Sequence, residues 1–227
     1  MAAIVVSGAH DPRSVHSLTP SLIGDWIERI AAWGFTSART NALSPPIARI
    51  FDLAGFTVAQ DLSLLEFSAA STVAAPDTDR QDITALNPRS WLDARNRGAR
   101  TEILRIDQAS FPATWALDAS SLRDALAATP VTRLFLSTNG GSVLGFVILG
   151  VSDGVAYVQR LAVAPGHRRG GVARQLLIEA MQWATDGGAD RVIVNTEVSN
   201  TAALGLYQSL GFATLPQGLF VMHRDLR

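Results

Sequence analysis

The sequence predicts a mixed α/β fold with a mostly antiparallel sheet, on three observations. Turn signals at Asn139-Gly140-Gly141 and Asp153-Gly154 separate apolar runs at 132–137, 143–151 and 155–163, which reads as an antiparallel meander. The third run passes through a glycine-containing loop into an amphipathic helix at 172–185 and another apolar run at 191–198. That is a strand–helix–strand crossover, which sets the two strands parallel and right-handed. Finally, the stretch from Trp33 to Phe67 repeats the order and lengths of the elements that close the chain.

Composition bounds the function classes. The 227 residues suffice for one large domain or two small ones, and 48% of them are hydrophobic. A net charge of −1 speaks against nucleic-acid or anionic-membrane partners. The chain has no Cys, which excludes disulfides, thiolate metal sites and a Cys nucleophile. All 19 basic residues are Arg. No run approaches the roughly 20 apolar residues of a membrane span, and Met1-Ala2-Ala3-Ile4-Val5-Val6 lacks the pattern of a signal peptide. A cytoplasmic protein, monomer or homodimer, is the expectation. The four His are scattered without ligand spacing, so no metal is expected.

A small, polar, unpatterned stretch at 68–80 reads as a linker. Residues 1–67 and 82–227 are then separate domains, with 68–81 between them. The C-terminal unit opens with a strand at 82–86 and a helix at 99–110, where Ile103 and Ile106 recur at helical spacing. Asp118 is the expected N-cap of a helix at 119–128, stopped before Pro130. After the meander and crossover come a helix at 201–210, ended by Gly211, and a closing strand pair at 212–215 and 219–223. In the N-terminal unit, helices at 18–33 and 45–54 precede Gly55-Phe56 and a strand at 62–67. Gly55-Phe56 falls opposite Gly211-Phe212, and Phe51 opposite Tyr207.

The loop Arg168-Arg169-Gly170-Gly171-Val172-Ala173 carries the chemistry. It joins a strand to a helix start, where unpaired N–H groups and a partial positive charge suit phosphate. Gly170 and Gly171 admit close approach, Ala173 is small, and Arg168, Arg169 and Arg174 add charge. A Walker loop is excluded by the absence of Lys, and a Gly-x-Gly-x-x-Gly fingerprint is absent. An Arg-rich surface turn capping a helix would look the same.

Arg168, Gly171 and Ala173 resemble the Gln/Arg-x-x-Gly-x-Gly/Ala signature of the GNAT superfamily, the acetyl-CoA-dependent N-acetyltransferases. The segment from Asn200 through Ala203, Leu206 and Tyr207 to Gly211-Phe212 is similar to a second family motif, and Leu161-Ala162-Val163 with Pro165 to the strand that pairs with the pantetheine arm. The resemblance covers 82–227. It implies a GNAT fold: a central sheet splayed between two parallel strands, helices on both faces, and here an N-terminal partial repeat of the same fold.

The resemblance also implies roles. Acetyl-CoA would lie between the strands at 155–163 and 191–198, held by Leu161, Ala162, Val163, Arg168, Arg169, Gly170, Gly171, Val172, Ala173, Arg174, Asn200 and Tyr207. Tyr207 is the candidate general acid for the thiolate, or a packed core aromatic. Glu197 is the candidate base, or an ordinary carboxylate; many relatives carry Glu two positions earlier, where this chain has Asn195. Asn200 binds coenzyme A, caps the next helix, or both. Phe111, Trp115 and Tyr157 are candidates for the acceptor side or for the core. The expected reaction is N-acetylation of a primary amine, on a small molecule or a peptide, by direct attack in a ternary complex. The alternatives are a non-catalytic acyl-CoA-binding module and a transferase using a longer acyl-CoA. The loop at 8–16, opposite the phosphate loop in the repeat, lacks the glycine pair and carries Asp11, so no second cofactor site is expected.

Overall fold

The computed structural model describes residues 2–4, 18–71, 82–88 and 96–226. The loop at 8–16 and most of the linker at 68–81 lie outside the described residues. The chain divides by packing into two compact units, each built from separated stretches. Unit 1 holds Met1–Leu65, Asn195–Gly205 and Thr214–Arg227, and unit 2 holds Glu66–Val194 and Leu206–Ala213.

In unit 1, strand β1 (Ala2–Ile4) pairs in parallel with β2 (Ser37–Leu43). Helix α1 (Pro20–Ala32) starts at Thr19, whose hydroxyl accepts the Leu22 N–H at 3.2 Å, with Pro20 at the first turn where its missing N–H costs nothing. Helix α2 (Pro45–Leu53) begins with a proline pair for the same reason. Strand β3 (Thr57–Ser68) is longer than the expected 62–67, because Thr57–Asp61 is mostly exposed and carries no apolar alternation. Ile23, Ile27, Leu43, Ile47, Phe51, Phe56 and Met222 form the core of this unit.

The expected closing hairpin is not formed. Strand β9 (Ala213–Thr214) pairs with β3, while β10 (Leu219–Asp225) lies antiparallel between β2 and β3. The runs at 212–215 and 219–223 are neighbours in sequence and were expected to pair; the actual partners of β10 are far earlier in the chain, where local pattern cannot point.

Unit 2 carries the order β8-β7-β6-β5-β4. Strands β4 (Asp82–Leu86), β5 (Val131–Asn139), β6 (Ser142–Ser152) and β7 (Val155–Val163) are successive antiparallel neighbours, and β8 (Arg191–Glu197) pairs in parallel with β7. Alternation along β5 sends side chains to helices on both faces. Leu134 and Leu136 pack with Ile103 and Ile106 of α3 (Arg97–Gln108) and Leu122 and Leu126 of α4 (Ala119–Ala127). Phe135 points the other way, edge-on to Trp183 of α5 (Val172–Asp186) at 5.9 Å between centroids. Asp118 caps α4 as expected, accepting from Ser121 and Ser120 N–H at 2.7 and 2.9 Å. These bonds, the one from Ser121 N–H first, hold its carboxyl well below the usual range.

Candidate active site

Between β7 and α5 the chain makes a short 3-10 turn, Pro165–His167, then Arg168–Gly171. Arg169 and Gly171 both take left-handed backbone, at φ 67° and 82°. Such residues gather successive N–H groups into a concavity that suits an anion. The first intrahelical bond of α5 runs from Gln175 N–H to the Gly171 carbonyl at 3.0 Å, so the N–H groups of Val172, Ala173 and Arg174 precede the ladder. A Cβ on Gly171 would meet nothing within 4 Å, and one on Gly170 only the His167 carbonyl at 3.6 Å. Among the described residues, then, nothing crowds these two positions. Gly145 on β6 sets the height of that start: a Cβ there would lie 2.8 Å from the Ala162 carbonyl and 3.2 Å from Val172.

The three arginines of the loop are used differently. Arg168 donates to the Val163 carbonyl at 3.2 Å, the Ala109 carbonyl at 3.4 Å and the Ser110 hydroxyl at 3.1 Å. Arg174 donates to the Ser209 carbonyl and hydroxyl at 3.3 and 3.2 Å, at the C-terminal end of α6 (Thr201–Ser209). That end carries partial negative charge. The exposed guanidinium of Arg169 makes no hydrogen bond or ion pair among the described residues.

The parallel ladder between β7 and β8 has three pairs, from Val155↔Arg191 to Tyr157↔Ile193, although β7 continues to Val163. Past Tyr157 the strand is paired only with β6, with Leu161 opposite Val147 and Ala162 opposite Phe146. Alternate residues on such an edge direct their N–H away from the antiparallel partner. Gln159 has no partner in the β6 ladder, which shifts register there. Tyr207, on α6, is 5% exposed, with its ring 5.5 Å from that of Phe212. Burial pushes its phenol above the ordinary value, so Tyr207 is a protonated donor at neutral pH.

A charged cluster that sequence reasoning missed lies beside this edge. Asp107, fully buried on α3, takes both of its oxygens to Arg160 of β7: Nε to Oδ2 at 2.6 Å and Nη2 to Oδ1 at 2.8 Å. Arg160 also donates to the Trp115 carbonyl at 2.7 Å and stacks 3.4 Å over the Phe111 ring. Asp107 Oδ1 further accepts the Leu117 N–H at 2.7 Å. The stretch from Phe111 to Leu117 is thus tied to β7 by one ion pair. The sequence signal was an Asp four positions after Ile103, on the apolar face of its helix, and an Arg inside a strand. Phe111 and Trp115 are half-buried in this cluster, and Tyr157 is half-buried on β7.

Glu197 and Asn200 belong to unit 1. Asn200 caps α6, its Oδ1 accepting the Ala203 N–H at 3.1 Å while Nδ2 donates to Thr196 at 3.2 Å. The Glu197 carboxylate accepts from the Gln60 amide and from the Ser199 hydroxyl, the latter at 3.4 Å. Gln60 was invisible to sequence reasoning, because it sits in the polar half of β3 outside any motif.

Residues 100–212 match the profile of the acetyltransferase (GNAT) family. The chain belongs to the GNAT family through this segment. Human N-acetyltransferase 8 is 31% identical over 131 residues, covering 48% of this chain and 58% of that protein. Human N-alpha-acetyltransferase 30 is 39% identical over 56 residues, covering 25% of this chain and 16% of that protein. The chain therefore spans well under two thirds of either relative. A crystal structure of a GCN5-related N-acetyltransferase from Sphaerobacter thermophilus shares the fold at a TM-score of 0.67 and 16% identity, covering 99% of this chain and 73% of that one.

The loop at 168–173, the β7 edge, Tyr207, Glu197 and Asn200 all fall inside the GNAT segment, and Gln60 falls outside it. Among the described residues no helix is long and apolar enough to cross a membrane, and no three His, Asp or Glu are grouped to hold a metal.

Proposed function

We propose that this GNAT chain moves an acetyl group from acetyl-CoA to a primary amine, on a peptide or a small molecule, by direct attack while both substrates are bound. The observation that carries the reading is the open helix start at 169–174, with left-handed Arg169 and Gly171 and no Cβ in front of it. Those groups fit a pyrophosphate. Acetyl-CoA would supply an acetyl group activated as a thioester. Residues 169–174 would hold its phosphates through backbone N–H, with Arg169 adding charge. Backbone N–H groups on the free edge at Leu161–Val163 would polarise the carbonyl. Tyr207 would keep its proton for the leaving sulfur, and Glu197 would take the proton of the amine. The chain has no Cys, so no acyl-Cys intermediate can form, and initial-rate lines should intersect.

A thermal-shift titration with acetyl-CoA and longer acyl-CoAs, followed by thiol detection over an amine and peptide panel, tests the proposal. Binding of acetyl-CoA with no thiol release across the panel would favour the non-catalytic module. Stronger stabilisation by a longer chain would move the donor class instead.

We also read residues 1–67 as a partial copy of the C-terminal GNAT half. Two local geometries support it. Phe56 N–H bonds to the Phe51 carbonyl at 3.0 Å, as Phe212 N–H does to Tyr207 at 3.1 Å. The aromatic pairs themselves lie 5.1 and 5.5 Å apart.

A further inference from the structure

We infer that Gln60, on β3 and outside the GNAT segment, is a positioning residue whose amide orients the Glu197 carboxylate. The inference rests on Glu197 being the base. Its geometry is independent of that role. Gln60 Nε2 donates to Glu197 Oε1 across 137 positions of sequence, in a partly buried setting. The other oxygen, Oε2, accepts from Ser199 at 3.4 Å. Both partners are neutral donors. An amide N–H donating to one carboxylate oxygen fixes the direction in which the other oxygen points. The backbone is fixed beside this contact: the Val198 N–H reaches the Asp61 carbonyl at 3.1 Å, and the Asn200 N–H the Glu197 carbonyl at 2.9 Å.

The charged surroundings leave Gln60 as the main partner. Glu197 is the sole ionisable side chain in the stretch 195–205. On β3 the ionisable neighbour is Asp61, next to Gln60 in sequence, so alternation sends its side chain to the opposite face. On β10 the ionisable residues are His223, Arg224 and Asp225, at the end of the strand paired with Thr57 and with Arg39 of β2. His223 faces Asp225 at 3.8 Å, and Arg224 donates to the Ala54 carbonyl. A base must release and regain its proton in one fixed direction. Gln60 occupies one oxygen and leaves the second, only weakly engaged by Ser199, for the amine or a water.

Gln60→Met should lower kcat about tenfold with KM for acetyl-CoA unchanged within about twofold, and the same substitution added to Glu197→Gln should have no further effect, because the amide acts through that carboxylate. The chain has five Glu, so their side-chain carboxyl carbons can be resolved by NMR and that of Glu197 assigned by its loss in Glu197→Gln. Its resonance should move in Gln60→Met while the other four stay. An unmoved Glu197 resonance, or an unchanged kcat in a folded Gln60→Met variant, overturns the inference; a strut between strands would lower Tm alone. Full activity of Glu197→Gln removes the base reading, and the Gln60 contact is then judged by the carboxyl resonance.

Discussion

Phe51 and Tyr207 close their helices with the same bond and the same aromatic neighbour, yet one lacks the hydroxyl. Packing therefore does not require the phenol at position 207. Tyr207→Phe should keep its Tm near neutral pH and lose about 10²–10⁴ in turnover if the proton of Tyr207 is used; unchanged turnover removes Tyr207 from the chemistry. The pH dependence has a definite sign. A phenol raised by burial above its ordinary value of about 10 stabilises the fold below that pH and withdraws the contribution as pH rises further. Melting curves above about pH 10 should therefore fall more steeply for the unmodified chain than for Tyr207→Phe. Among the arginines, Arg169→Ala should weaken acetyl-CoA binding about tenfold, more so at low salt, because its charge is uncommitted. Arg168→Ala should instead lower Tm, since it loosens Ala109 and Ser110. Calorimetric titration and melting of both variants would expose the reverse pattern. Arg160→Met leaves Asp107 buried without its partner and should cost about 3–5 kcal/mol in urea denaturation, with part regained when Asp107→Leu is added. Equal stability of the single and double variants would contradict the pairing.

The elements around the loop at 168–173 were legible because local rules agree there. Strand β7 has the expected bounds, α5 runs one residue further than expected, and the N-cap at Asp118 and the turns flanking β6 stand where the residue types put them. The finer geometry was less legible. A left-handed Arg169 goes against residue preference, so the sequence, which offers Gly170 and Gly171 for close approach, does not show that the backbone turns left-handed at 169 as well as at 171. Gly171→Ala should cost about 1–2 kcal/mol and weaken acetyl-CoA binding, since the residue at φ 82° caps α5. An alanine variant with unchanged affinity would show that the N–H cradle is not the phosphate site. The Asp107–Arg160 pair was hidden differently: each charge could be seen, but only the fold brings α3 and β7 together.

At the scale of the molecule, sequence reasoning placed the last strand but gave it the wrong partner, and it named no strand at β1. Hydrophobic alternation identifies β10 as a strand, but nothing in it names β2 and β3, and the Gln60–Glu197 contact escaped for the same reason. Deleting residues 1–75 removes both partners of β10 and uncovers Met222, which is 1% exposed, so the truncated chain should be insoluble. A soluble, equally active truncation would make the N-terminal stretch dispensable. The seating of β10 also sets a timetable. Strand β3 ends at Ser68 and β10 begins at Leu219. At roughly 5–20 residues per second, a ribosome takes about 8–30 s to deliver the strand that closes that gap. Until then the edges of β2 and β3 that β10 covers stand open, so the N-terminal stretch, though made first, cannot complete its sheet before β10 is delivered.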